Sequence, residues 1–159
     1  MTQHTNHHIV GNTPRMSRRN FVIGQGRVLL ASTEQGRFTA ERDRDFYRVC
    51  RLIASSSRTP LTPREIVARA VNHPAPGYYV DYTYALRVLG NIGKMPRADA
   101  AHASRGKWLE LYDRCMEAMA AGAPGIGMAL VDVLASGRAS GFFISVSRGL
   151  RILRDAERR

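Results

Sequence analysis

The residues in this sequence best suited to chemistry are arginines, and their spacing suits binding rather than catalysis. On a helix that turns about 100° per residue, Ser147, Arg151, Arg154 and Arg158 share one narrow face. Val146, Leu150 and Leu153 point the other way. Sixty-four residues earlier, the matching places of the first face hold Thr83, Arg87, Gly90 and Lys94. Arg87 and Arg151 are the basic pair common to both stretches. Arg148 stands beside the second face, where the earlier stretch has Tyr84. A helix with one basic face can lie along phosphates or enter a major groove. The same pattern also fits an ordinary solvated face, and arginines near a helix C-terminus complement its dipole.

Other chemistry is sparse. His4, His7 and His8 lie in a polar tail with no cysteine or acidic ligand beside them, so a solvated tail is expected there and no metal site. His73 and His102 lie in polar breaks with no evident partner. Cys50 and Cys115 sit on apolar stripes and read as small buried hydrophobes. Gly24-Gln25-Gly26 is too short for a dinucleotide fingerprint. The glycine-rich run from Gly122 to Gly127 lacks the Gly-Lys-Ser/Thr ending of a phosphate loop. No carboxylate pair, nucleophile with its base, or clustered ligand set stands out, so the chain is expected not to be an enzyme and to carry no cofactor.

Charge directs the reading of the arginines. The 159 residues carry a net charge of +11, with only Lys94 and Lys107 as lysines. Residues 1–40 hold five basic groups against one acidic. Residues 41–92 hold eight against five, and residues 93–159 eleven against seven. The excess is therefore spread along the chain, not confined to one arm, and it favours a polyanionic partner. Arg15, Arg18 and Arg19 add a small basic cluster near the N-terminus. No apolar run approaches the roughly 20 residues that span a bilayer, and the N-terminus lacks the apolar stretch of a secretory signal. Two cysteines do not make a disulfide framework. A reducing, cytoplasmic setting without a membrane is the expectation.

The elements that must position the arginines are set by an internal match. Ala75 to Gly90, APGYYVDYTYALRVLG, returns as Ala139 to Arg154, ASGFFISVSRGLRILR. Five of sixteen positions are identical and six more are conservative, including Tyr78 and Tyr79 against Phe142 and Phe143. Upstream, Phe46 to Cys50 aligns with Leu111 to Cys115 at an offset of 65, one residue out of step.

Hydrophobic spacing predicts a helix over 41–55 with Phe46, Val49, Cys50 and Ile53 inward. Thr62-Pro63-Arg64-Glu65 is a helix start with a capping box, and Ile66, Val67, Ala70 and Val71 form its apolar face. After the aromatic lead Tyr78-Tyr79-Val80, Asp81 is placed to cap a helix from about Tyr82 to Ile92. Its inner face is expected to be Tyr82, Ala85, Leu86 and Leu89. The second copy brings a stripe of Trp108, Leu111, Tyr112, Cys115, Met116 and Met119, then a short helix over 128–135. Ile66 and Val67 are matched there with Leu130 and Val131. Ser145 takes the capping place of Asp81 before the last helix. The aromatic pairs read as core anchors more readily than as stacking platforms. Because the second copy has phenylalanine, their hydroxyls are expected to be dispensable.

The expected fold is mostly α: two tandem related three-helix units over 39–93 and 107–159, joined by a connector at 94–106. A flexible basic arm over 1–20 and a hairpin or extended strap over 21–38 precede them. The order resembles a helix-turn-helix only in outline, because the link between the last two helices is too long. The expected function is binding of nucleic acid, duplex DNA before RNA. It suits a small regulator or an accessory factor of a mobile element, with Arg87, Lys94, Arg148, Arg151, Arg154 and Arg158 as contacts. The alternative is a helical interaction or scaffold protein that meets an acidic protein.

Overall fold

The structure, a computed structural model, describes residues 36–92 and 103–159. The basic arm, the hairpin or strap as far as residue 35, and connector residues 93–102 lie outside the described residues. The described residues form six helices and no strand. They are α1 (36–56), α2 (Pro63–Val71), α3 (Tyr82–Ile92), α4 (Ala103–Ala120), α5 (Ile126–Ser136) and α6 (Val146–Glu157).

Two helices begin earlier than their apolar stripes indicate. Residues 36–38 are helical, supported by the Arg37–Glu41 pair one turn apart, and α4 takes in 103–106 from the expected connector. Charged and small residues extend a helix without adding to its buried stripe, so periodicity misses them.

The starts follow local hydrogen bonding. Thr62 accepts from the Glu65 backbone N–H, and the Glu65 carboxylate accepts from the Thr62 N–H at 2.8 Å, which closes the capping box. Asp81 accepts from the Tyr84 N–H at 2.8 Å. Ser145 accepts from the Arg148 N–H at 3.1 Å. Each satisfies an N–H that the helix leaves unpaired.

Burial follows the stripes with three corrections. Phe46 and Cys50 of α1, Val67 and Ala70 of α2, and Leu111 and Cys115 of α4 are buried, while Met119 reaches the surface. Tyr82 does not face inward. It lies at the surface, and its hydroxyl donates to the Gly127 carbonyl at 3.1 Å, a polar partner the core does not offer. In α5 the buried residues are Ala129, Leu130 and Val133, whereas Val131 is 43% exposed. The match to α2 is therefore 63 residues, not 64, with Val67 and Ala70 answering to Leu130 and Val133. In that register helix α5 starts in step with α2, Ile126 at the place of Pro63, and runs two residues further, to Ser136. Gly137, at φ 82°, then turns the chain sharply, and the offset of 64 is restored at Ala75 and Ala139.

Those two alanines form the crossing point of the molecule. Ala75 and Ala139 make an antiparallel bridge, each N–H donating to the other's carbonyl at 3.0 Å. Beyond the bridge each lead carries the helix that follows it onto helices of the other half of the chain. Helix α6 packs on α2 and meets α1, while α3 packs on α4 and α5. The buried residues make one cluster with contributions from both copies, and Gln35–Arg159 is one compact unit.

The aromatic leads are the hinge of this exchange. Tyr78 and Phe142 are buried, and the Phe142 ring meets Phe46 edge-on at 5.2 Å. Among the described residues, Tyr79 and Phe143 are the two non-glycine residues with positive φ, at 54° and 51°. That left-handed backbone costs on the order of 1 kcal/mol for a bulky residue. It recurs at positions 64 apart, where each chain reverses from bridge to helix.

Candidate nucleic-acid interface

Helix α6 is positioned by burial of Gly149, Ile152 and Leu153 against α1 and α2, with Val146 and Leu150 half-buried. That leaves Ser147, Arg151, Arg154 and Arg158 on the outward face, all exposed. Among the described residues, Arg151, Arg154 and Arg158 form no ion pair. Four carboxylates of α1 and α4 are engaged elsewhere. Arg37, Arg42, Arg48, Arg114 and Arg148 are the arginines that Glu41, Asp43, Asp45 and Glu110 engage.

Arg148 lies off the α6 face. Its guanidinium donates to Asp43 of α1 at 2.7 Å, and Asp43 also takes Arg42 at 2.7 Å. Arg148 thus fastens α6 to α1, beside an open cleft of about 650 Å³ lined by Tyr47, Arg44, Asp155 and Arg159. Arg87 is exposed on α3, which packs on α4 and α5, so the shared pair Arg87 and Arg151 stand on different helix clusters. Lys94 lies outside the described residues.

The aromatic hydroxyls have work that their replacement by phenylalanine in the second copy concealed. Tyr78 donates to Glu110 at 2.7 Å, and Tyr79 donates to Asp45 at 2.8 Å. Burial and these carboxylates push both phenols well above the usual tyrosine range. Asp45 and Glu110 hold matching places, each preceding the aligned residues Phe46 and Leu111, but that match does not pair either carboxylate with a tyrosine. Glu110 also accepts from the Ser140 N–H at 3.0 Å and the Ser140 hydroxyl, and pairs with Arg114 at 3.1 Å. Burial raises its carboxyl pKa. The bonds from Ser140 and Tyr78 and the charge of Arg114 outweigh that, and it titrates below its ordinary 4.5.

A second group of side chains gathers where α3 meets α4. Tyr84 is 46% exposed and meets Trp108 edge-on, ring centroids 5.7 Å apart. Arg87 lies 5.8 Å from the centre of the Tyr84 ring, and Lys107 lies 4.8 Å from that of Trp108. Burial, and then the charge of Arg42, push the Lys107 ammonium down to about 8. Sequence reasoning read Trp108 as a core anchor and Tyr84 only as the residue Arg148 replaces. Their pairing joins residues 24 apart across the connector, beyond the reach of helical periodicity.

The cysteines are buried, and burial raises both thiols, Cys50 to about 11, so neither is a ready nucleophile at neutral pH. Among the described residues there is no group of three or more potential metal ligands and no helix long and apolar enough to cross a membrane. Compared with known protein families, with curated proteins and with solved structures, the chain finds no match.

Proposed function

We propose that this protein binds nucleic acid, with duplex DNA as its main ligand, through the outward face of α6. The observation that carries the reading is that Arg151, Arg154 and Arg158 share one exposed face of α6 and form no ion pair among the described residues, although Asp155 and Glu157 lie on the same helix. Guanidinium groups spaced along a helix suit the regular phosphates of a duplex edge, and each neutralised phosphate releases counterions. Arg87 supplies the matching cation of α3, and Lys94, outside the described residues, stands at the place of Arg158 in the sequence match. Arg148 acts chiefly as the tie to Asp43. We also infer that the chain is a duplicated three-helix unit. The bridge between Ala75 and Ala139 and the shared positive φ of Tyr79 and Phe143 support this beside the sequence match. A small regulator or mobile-element accessory factor fits such a chain.

The test is fluorescence anisotropy with labelled duplex DNA at two salt concentrations. The double variant Arg151→Glu, Arg154→Glu is expected to lose at least about ten-fold in affinity and to lower the salt slope by about 2. Unchanged affinity would overturn the assignment.

One observation favours the second reading, a protein partner. Met128 and Val131 expose 52% and 43% of their surface one turn apart on α5, an apolar stripe that α2 lacks. Retained DNA affinity in the charge-reversal variant, together with capture of an acidic protein, would shift the assignment to that reading.

A further inference from the structure

We propose that Tyr84 and Trp108, flanked by Arg87 and Lys107, form a stacking site for an unpaired nucleobase. The proposal rests on the nucleic-acid reading above and adds a ligand that the α6 face does not select.

Most of the aromatic rings of the leads and of α3 are committed within the fold. Tyr78 and Phe142 are buried, Tyr79 is tied to Asp45, Phe143 packs over Gly106, and the Tyr82 hydroxyl is held by Gly127. Tyr84 differs: nearly half its surface is open, and its hydroxyl makes no hydrogen bond among the described residues. Trp108 holds it edge-on from behind, itself half-buried against the core, so the outer ring is backed by a fixed one. A pre-positioned ring loses little entropy when a flat ligand stacks on it.

The cations decide the class of ligand. Arg87 lies over the Tyr84 ring, its guanidinium carbon 5.8 Å from the centroid and so beyond the roughly 3.5–4 Å of direct stacking contact, a loosely held cation that a stacking base would meet. Lys107 lies over Trp108 on the adjoining ring. Two aromatic rings bordered by two cations match a base carried on a phosphate chain, where bases stack on aromatics and phosphates meet basic groups. A cationic peptide would be repelled by the same pair. Bases inside a duplex are already stacked and covered, so the occupant is an unpaired base in a single strand, a bulge or an open end.

The two matched helices support a division of labour. At the place of Tyr84, α6 has Arg148, which is ion-paired to Asp43. At the places of Gly90 and Lys94, α6 has Arg154 and Arg158. Thus α6 offers charge for a phosphate edge, while α3 offers an aromatic ring with one arginine.

Trp108 is the single tryptophan of the chain, so its emission reports on this site. The full chain is titrated with a dT oligonucleotide, an rU oligonucleotide, an abasic strand of equal length, a blunt duplex and an acidic peptide. We expect dT or rU to quench Trp108, with the preferred sugar showing whether DNA or RNA is the source. Tyr84→Ala is expected to weaken that binding about ten-fold, within the 1–3 kcal/mol measured per stacked base. Tyr84→Phe is expected to restore it, and abasic-strand affinity is expected to be the same in all three proteins. Equal affinity for abasic and base-bearing strands, quenching by the acidic peptide, or unchanged dT and rU binding in Tyr84→Ala would each overturn the proposal. If duplex binding still falls in Arg151→Glu, Arg154→Glu, the α6 reading survives such a failure. Absence of binding to every nucleic acid overturns both.

Discussion

Gly149 shows how tightly single residues set the packing of α6. A methyl group there would stand 2.6 Å from Val67 Cγ1 and 2.9 Å from Phe46 Cζ. Both neighbours are fully buried, so neither ring nor branch has room to retreat. In the other copy the matching position is Ala85, and Leu111 stands where α1 has Phe46. The larger partner goes with glycine and the smaller with alanine. Gly149→Ala is therefore expected to lower stability by about 1–3 kcal/mol despite its better helix propensity, through overpacking. Adding Phe46→Leu is expected to make the pair less destabilised than the two single variants summed. Chemical denaturation of the four proteins measures the coupling, and strict additivity would count against this packing account. The exchange of Phe with Gly for Leu with Ala is visible in the aligned sequence, but not that Gly149 and Phe46 touch.

At the scale of elements, Glu110 acts as a clasp. It receives Tyr78 from the first lead and Ser140 from the second, so a single side chain of α4 holds both leads near the bridge. Its folded pKa lies below its ordinary value, so folding favours the ionised form. The stabilisation is full above the unfolded pKa, near 4.5, and is lost as pH falls through the lower folded value. Glu110→Gln is expected to cost about 1 kcal/mol at neutral pH, a charged hydrogen-bond cluster discounted for its partial exposure. The gap between variant and wild type is expected to hold steady above about pH 5 and to shrink below 4.5. Urea midpoints across that range check the sign, and a gap that widens in acid would refute it. The helices this clasp joins were legible from periodicity and caps. The clasp was not, because tyrosine hydroxyls and a mid-helix glutamate carry no spacing signature.

At the scale of the whole molecule, the exchange of third helices makes the two copies depend on each other. Val67 and Phe46 are covered by α6, and the buried face of α3 is covered by α4 and α5. A fragment ending at residue 92 keeps α3 but loses the helices that cover it, and leaves α1 and α2 without α6. Each fragment also falls near the size where a core alone is marginal. We expect 1–92 and 103–159 each to show weak helical circular dichroism alone and to regain cooperative unfolding when mixed. Independent cooperative folding of either fragment would contradict the exchanged packing.

Which segments are helical, where Thr62, Asp81 and Ser145 start them, and that two stretches 64 residues apart match in sequence are all readable from the residues alone. So is the place of Arg151, Arg154 and Arg158 on one side of a helix. These are local properties, set by hydrogen bonds within a turn and by the period of apolar residues. It is the three-dimensional packing that carries α3 onto α4 and α5 and α6 onto α1 and α2, gives Arg148 to Asp43, and brings Tyr84 and Trp108 together beside Arg87 and Lys107. Those outcomes depend on how two chiral reversals at Tyr79 and Phe143 aim the following helices. No spacing rule encodes that direction, because it arises from the mutual fit of surfaces distant in the chain.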